Sequence, residues 1–134
     1  NPQPDRETHL LQIWIEPARR GDAAGYEQLA LAETAMRDRW CLVASPDGAA
    51  GSATIGQDAR LWASLLSAGE QIDYSLGAGR LGYVQVISGA LALNDMNLKA
   101  GDGVRIAEES VLHFLAAATA EFLLFDLPPR GQGF

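Results

Sequence analysis

Few residues in this sequence are of the types that do chemistry, and their spacing argues against most of the reactions they could serve. His9 and His113 are the only histidines. A zinc or iron centre takes three or four donors, often spaced as H-x-H or H-E-x-x-H, and neither spacing occurs. Within Val111-Leu112-His113-Phe114-Leu115, His113 is expected to be a hydrogen-bonded strand residue. His9, at the entrance of an apolar run, is expected at a strand edge. Cys41 is the single cysteine and lies between Trp40 and Leu42-Val43. No run of His, Lys or Arg is placed to lower its pKa, so a core thiol is expected rather than a nucleophile. Glu108-Glu109 could pass for an acid/base pair, but neighbours on an extended chain point to opposite faces, and a solvated turn fits better. Ser45, Ser52, Ser64, Ser67, Ser75, Ser88 and Ser110 all lack the G-x-S-x-G context of a hydrolase nucleophile.

One formal motif is present: Gly77-Ala78-Gly79-Arg80-Leu81-Gly82 satisfies G-x-G-x-x-G. A dinucleotide fingerprint needs a helix after these glycines, so that pyrophosphate can rest on its N-terminal amides. Tyr83 to Ile87 is strand-forming instead, and the glycines are expected to serve tight turning and positive φ ahead of a strand.

The elements that must carry these residues are short and mostly extended. The run His9 to Ile15 is apolar and β-branched and stops at Pro17, which predicts an opening strand. Residues 29–39 form the one helix-like stretch, weakly amphipathic, expected as a turn or a short 3₁₀ piece. Strand-like runs then follow at 40–44, 53–55, 60–66, 71–76, 83–87, 90–93, 103–106, 111–116 and 121–126. Ser45-Pro46-Asp47-Gly48, Ser67-Ala68-Gly69, Ser88-Gly89, Asn94-Asp95 and Ala100-Gly101-Asp102-Gly103 supply turn chemistry between them. Such spacing is the mark of an all-β sandwich or barrel.

Composition agrees. The 134 residues are 48% hydrophobic and 20% charged, enough to bury a core as one domain. A net charge of -7, from 10 basic and 17 acidic residues, repels phosphate and disfavours nucleic acid as a partner. No apolar run approaches the roughly 20 residues that span a bilayer, and a lone cysteine excludes an intrachain disulfide. The expected setting is cytoplasmic, away from membranes.

The letters also resemble a known family. His9-Leu10-Leu11-Gln12-Ile13-Trp14-Ile15-Glu16-Pro17 resembles the segment joining the two cupin barrels of pirin-like proteins. Gly25-Tyr26-Glu27-Gln28, Ala44-Ser45-Pro46-Asp47-Gly48, Gln57-Asp58-Ala59 and Phe125-Asp126-Leu127-Pro128 agree in order. The resemblance implies an all-β cupin, the double-stranded β-helix or jelly-roll-like barrel. It divides the chain into a tail at 1–8, a C-terminal-type cupin at 9–128 and a tail at 129–134. In the family the N-terminal cupin holds a metal, usually iron, through three His and a Glu, and some members cleave quercetin as dioxygenases. The implied cofactor, iron or another divalent metal, would thus belong to a half preceding Asn1.

A metal-binding cupin reads G-x₅-H-x-H-x₃₋₄-E-x₆-G and then G-x₅-P-x-G-x₂-H. Counting back from Gly89, the Glu slot falls on Gly82 and the His slots on Leu76 and Ala78, or on Ser75 and Gly77. From Gly101 the Pro, Gly and His slots fall on Ala107, Glu109 and Leu112. His113 is one residue late, and a slip of one turns a side chain to the other face. No catalytic, cofactor-binding or metal residue is therefore expected in this chain. Tyr83, Gln85 and His113 are left as candidates for lining a small pocket.

The leading expectation is a structural and interaction half that packs on the metal-bearing N-terminal cupin, with a homodimer formed through the apolar 9–15 strand. The alternative is a segment of a quercetin 2,3-dioxygenase-like oxygenase in which this half shapes the substrate entrance. A transcription-cofactor role, as described for the animal member, rests on the resemblance alone.

Overall fold

The computed structural model describes residues 33–48, 52–54 and 58–129, and the expected 9–15 strand lies outside them. One helical turn, α1 (Glu33–Met36), comes first, α-helical where a turn or a short 3₁₀ piece was expected. Eight strands follow: β1 (Cys41–Ser45), β2 (Ala53–Thr54), β3 (Arg60–Leu66), β4 (Gln71–Ser75), β5 (Leu81–Leu93), β6 (Met96–Lys99), β7 (Gly103–Ile106) and β8 (Val111–Leu127). They join in one sheet of order β2-β1-β3-β8-β5-β6, with β4 added to β8 and β7 to β5.

The two long strands organise everything else. The first half of β8 pairs with β4 (Gln71↔Leu115 to Ser75↔Val111) and its second half with β3 (Arg60↔Asp126 to Leu66↔Ala120). Along its other edge β8 pairs with β5, whose first half carries β7 and whose second half carries β6. Each long strand thus crosses from one half-sheet into the other.

Two expected turns are instead places where a strand continues. Ser88-Gly89 interrupts the ladder without ending it, since register shifts at Val86/Ser88, Ser88/Ala90 and Ala90/Leu91 mark a bulged segment within β5. Residues 117–120, expected to separate one strand from the next, run straight through β8. The other turns form as the letters indicate, with Gly48, Gly69 and Gly101 at positive φ. Asn94, also at positive φ (52°), turns β5 into β6, a strand the sequence reading missed. Of the G-x-G-x-x-G glycines only Gly79 has positive φ (76°), in the turn closed by Arg80 N–H donating to Gly77 O (3.0 Å).

Alternation then sorts side chains to two faces. Leu112, Phe114 and Ala116 are buried, whereas Val111, His113, Leu115 and Ala117 between them are exposed. The main core joins Leu66, Leu76, Val84, Val86, Leu91, Leu93, Leu98, Ile106, Leu112, Phe114, Phe122 and Leu124 from both half-sheets. Trp40 packs into it, edge-on to Phe114 and Phe122 at 5.3 and 5.7 Å between centroids. The opposite face carries a second cluster of Ala44, Leu61, Ala63, Leu123 and Phe125. Cys41 is half-buried at the start of β1 rather than sealed in a core.

Ser64, fully buried on β3, is the only described side chain with a buried polar atom lacking a hydrogen-bond partner. An unsatisfied hydroxyl forfeits its bonds to water, which costs roughly 1–3 kcal/mol. Ser64→Ala is therefore expected to stabilise the fold by about 1 kcal/mol, read as a higher urea midpoint with unchanged slope.

Candidate functional site

Three of the positions where a cupin would present metal ligands, Leu76, Gly82 and Leu112, are buried at the main core, whereas Ala78 and the alternative positions Ser75 and Gly77 are exposed. Leu76 and Leu112 are buried members of the apolar cluster, at 3% and 0% exposure. Gly82 has no side chain, and a Cβ placed there would meet Ile106 Cβ at 3.3 Å and Leu76 Cδ2 at 3.6 Å. Hydrocarbon occupies this space. Among the described residues, no group of three or more His, Cys, Asp or Glu stands close enough to hold a metal ion.

His113 faces outward, its side chain 64% exposed, with Nδ1 2.9 Å from Asp73 Oδ1 on β4. The one-residue slip is thus realised, since Leu112 and Phe114 on either side point into the core. Tyr83 and Gln85 also leave the interior. They share the face opposite Val84 and Val86, where Tyr83 packs on the second cluster and donates from Oη to Gln85 Oε1 at 3.2 Å. None of the three borders the cleft found between β5, β7 and β8. The described cleft is lined instead by residues of the β5–β6 turn, β7 and the loop before β8.

What the sequence reading missed is a polar network at the end of the core where Gly82 pairs with Asp126. Asp126 shares the inward face of β8 with Phe122 and Leu124 and is 5% exposed. Both of its carboxylate oxygens are engaged: Oδ2 accepts from Tyr74 Oη at 2.5 Å, and Oδ1 accepts from Arg80 Nε. Arg80 reaches out of its turn and also donates to Asp58 Oδ2 and Asp58 O, both at 2.9 Å. Tyr74 Oη in turn accepts from Trp62 Nε1 at 3.1 Å. Distant segments of the chain are tied together here. An aspartate in Phe122-Leu123-Leu124-Phe125-Asp126-Leu127 was the available signal, because its parity with the inward residues demands a buried cationic partner.

The electrostatics follow from burial and pairing. Loss of water raises the Tyr74 phenol well above its ordinary value, and its hydrogen bond to the Asp126 carboxylate adds to the rise. Burial alone would lower the Arg80 guanidinium, but hydrogen bonds to Asp126 and Asp58 outweigh it and hold the group above its usual value. A phenol raised in the folded state stabilises the fold below its unfolded pKa of about 10 and loses that contribution as pH climbs past it. Tyr74→Phe is expected to cost about 1 kcal/mol at neutral pH. It should also flatten the fall in stability between about pH 9 and about pH 11, measured by urea titration.

Chemically this arrangement binds the chain to itself: the carboxylate has no oxygen left over, and the guanidinium is shared between two aspartates. Residues 42–127 match the family model described as the quercetinase C-terminal cupin domain. The chain belongs to the pirin family. It is 35% identical over 129 residues to a quercetin 2,3-dioxygenase of Escherichia coli K12, covering 96% of this chain and 54% of that protein. Among solved structures it is similar to YhhW from Escherichia coli, with TM-score 0.82, 34% identity and coverage of 87% of this chain and 48% of that one. The nickel(II) complex of bacterial pirin YhhW gives TM-score 0.79 at 34% identity, covering 84% and 48%. The pirin-family chain thus spans about half the length of the relatives it matches, and its fold is of the cupin/pirin type. Among the described residues of this pirin-family cupin, no helix is long and apolar enough to cross a membrane.

Proposed function

We propose that this chain is the structural half of a two-cupin pirin-family protein, packing on an N-terminal cupin that holds the metal and having no metal site of its own. The observation that carries the reading is the hydrocarbon packing at Leu76, Gly82 and Leu112, where three of the four donors would have to stand. A metal held by thiolate, imidazole or carboxylate needs at least three such groups, and these positions offer none. The half-length match supports a missing partner domain. Iron or another divalent metal belongs to that partner, a reading favoured by the nickel bound to a similar pirin. We place the protein in the cytoplasm, where the lone half-buried Cys41 suits a reducing setting. The 9–15 strand, outside the described residues, is the proposed seam between halves and, when unpaired, between two copies.

The test is metal content. After dialysis against iron(II) or nickel(II) and then buffer, the chain alone is expected to retain far less than one ion per molecule. Stoichiometric retention overturns the reading. Sedimentation of the same sample reads the seam, and a monomer at high concentration removes the dimer.

A second reading is favoured by the relative named a quercetin 2,3-dioxygenase: the complete protein oxidatively cleaves quercetin, and this half borders the substrate entrance. Quercetin consumption by the complete protein, absent from this chain alone, is the expected result. No turnover by the metal-loaded complete protein counts against it.

A further inference from the structure

A cleft of about 430 Å³ opens where the main core reaches the surface between the β5–β6 turn, β7 and the loop entering β8. That volume is within the range of small-molecule sites. Leu93, Val104, Ile106 and Leu112 border it from the core side, so its inner wall is aliphatic. Met96, 51% exposed, forms an outer wall. A thioether on a flexible chain adapts to a guest and makes favourable contacts with aromatic rings.

Three charged residues line the cleft: Asp95, Glu109 and Arg105. Asp95 in the β5–β6 turn and Glu109 in the β7–β8 loop both line the cleft and are exposed. Neither makes an ion pair among the described residues. Arg105 contributes to the lining from β7, where it pairs with Tyr83, but alternation directs its side chain to the face opposite Val104 and Ile106 and away from the aliphatic wall. The turn is itself held in place, because Asn94 N–H donates to His113 O at 2.9 Å and Asn94 Oδ1 accepts from His113 N–H at 3.0 Å. Two carboxylates without an ion pair among the described residues therefore line an apolar pit, in a chain whose net charge of -7 already disfavours anions.

We propose that this cleft binds a small aromatic amine, its ring against Met96 and the aliphatic wall and its ammonium group at Asp95 and Glu109. The site needs no metal, and Leu112, which stands at the His slot of the second cupin motif, serves here only as part of the aliphatic wall.

The chain has two methionines, which makes a direct test possible. Met96 stands at the cleft, and Met36 packs on the second cluster. With both methyl groups labelled with carbon-13, titration with 2-phenylethylammonium chloride is expected to shift the Met96 signal saturably and leave Met36 in place. The anion 3-phenylpropanoate is expected to bind at least about threefold more weakly, and Asp95→Asn with Glu109→Gln to weaken the amine by about the same factor. A Met96 signal unmoved at millimolar amine, an equal response to the anion, or an affinity untouched by the double substitution overturns the proposal.

Discussion

Gly89→Val is expected to abolish the folded state at ordinary temperatures, with a loss on the order of 4 kcal/mol or more. Two independent penalties fall on this residue. Its φ of +84° is in the left-handed region, where a β-branched side chain is strained. A Cβ would also run into Thr119 O and lie 2.7 Å from Ala120 Cα, both backbone atoms of β8. Backbone cannot move aside as a side chain would, because β8 is fixed there by β3 on its other edge. The bulge at 88–90 is what lets β5 pass between half-sheets, so a residue that forbids it opens the core. Ser88→Val, at the exposed neighbouring position, serves as the control and is expected to change the thermal midpoint little. A cooperative transition of near-normal midpoint in Gly89→Val would contradict the close approach of β5 and β8.

Asp126→Ala is expected to cost about 3–5 kcal/mol, the penalty for leaving a partly buried cation without its partner. Arg80 would keep Asp58, which is 58% exposed, and lose Asp126, which is 7% exposed. Tyr74 would lose the acceptor of its hydroxyl proton. Replacing both charges, as Arg80→Met with Asp126→Leu, is expected to recover much of the loss, because buried ion pairs and well-packed apolar pairs are often near equal in stability. Urea midpoints of Arg80→Met, Asp126→Leu and the double variant form the cycle that measures this. Additive losses would mean that Arg80 and Asp126 do not act as a pair.

These two sites show what the letters did and did not disclose. Strands β3, β4 and β7 were legible because turn residues bound them closely on both sides. The length of β5 and β8 was not. Ser88-Gly89 has turn chemistry, yet the same positive φ also serves a bulge, and only pairing with β8 distinguishes the two. Strand β6 was missed because Met96-Asn97-Leu98-Lys99 is short and only half apolar, and its existence depends on an open edge of β5. The outward turn of His113 followed from counting alone, since its neighbours Leu112 and Phe114 fill the core. Which face Tyr83 and Gln85 occupy was not legible, because five residues of mixed polarity do not reveal which side faces in. Fragments noted for their family likeness carry a physical meaning that spacing could not show: Asp58 and Asp126, distant in sequence, are both partners of Arg80.

We propose that this cupin encloses hydrocarbon, at Leu76, Gly82 and Leu112, where a metal-bearing one would place donors. Anomalous X-ray density, collected at the absorption edge of nickel on crystals of the complete two-cupin protein loaded with that ion, tests it most directly. The expected map has a peak in the N-terminal half and none among Leu76, Gly82, Ile106 and Leu112. A peak enclosed by those residues, within bonding distance of this chain's own side chains, would contradict the claim.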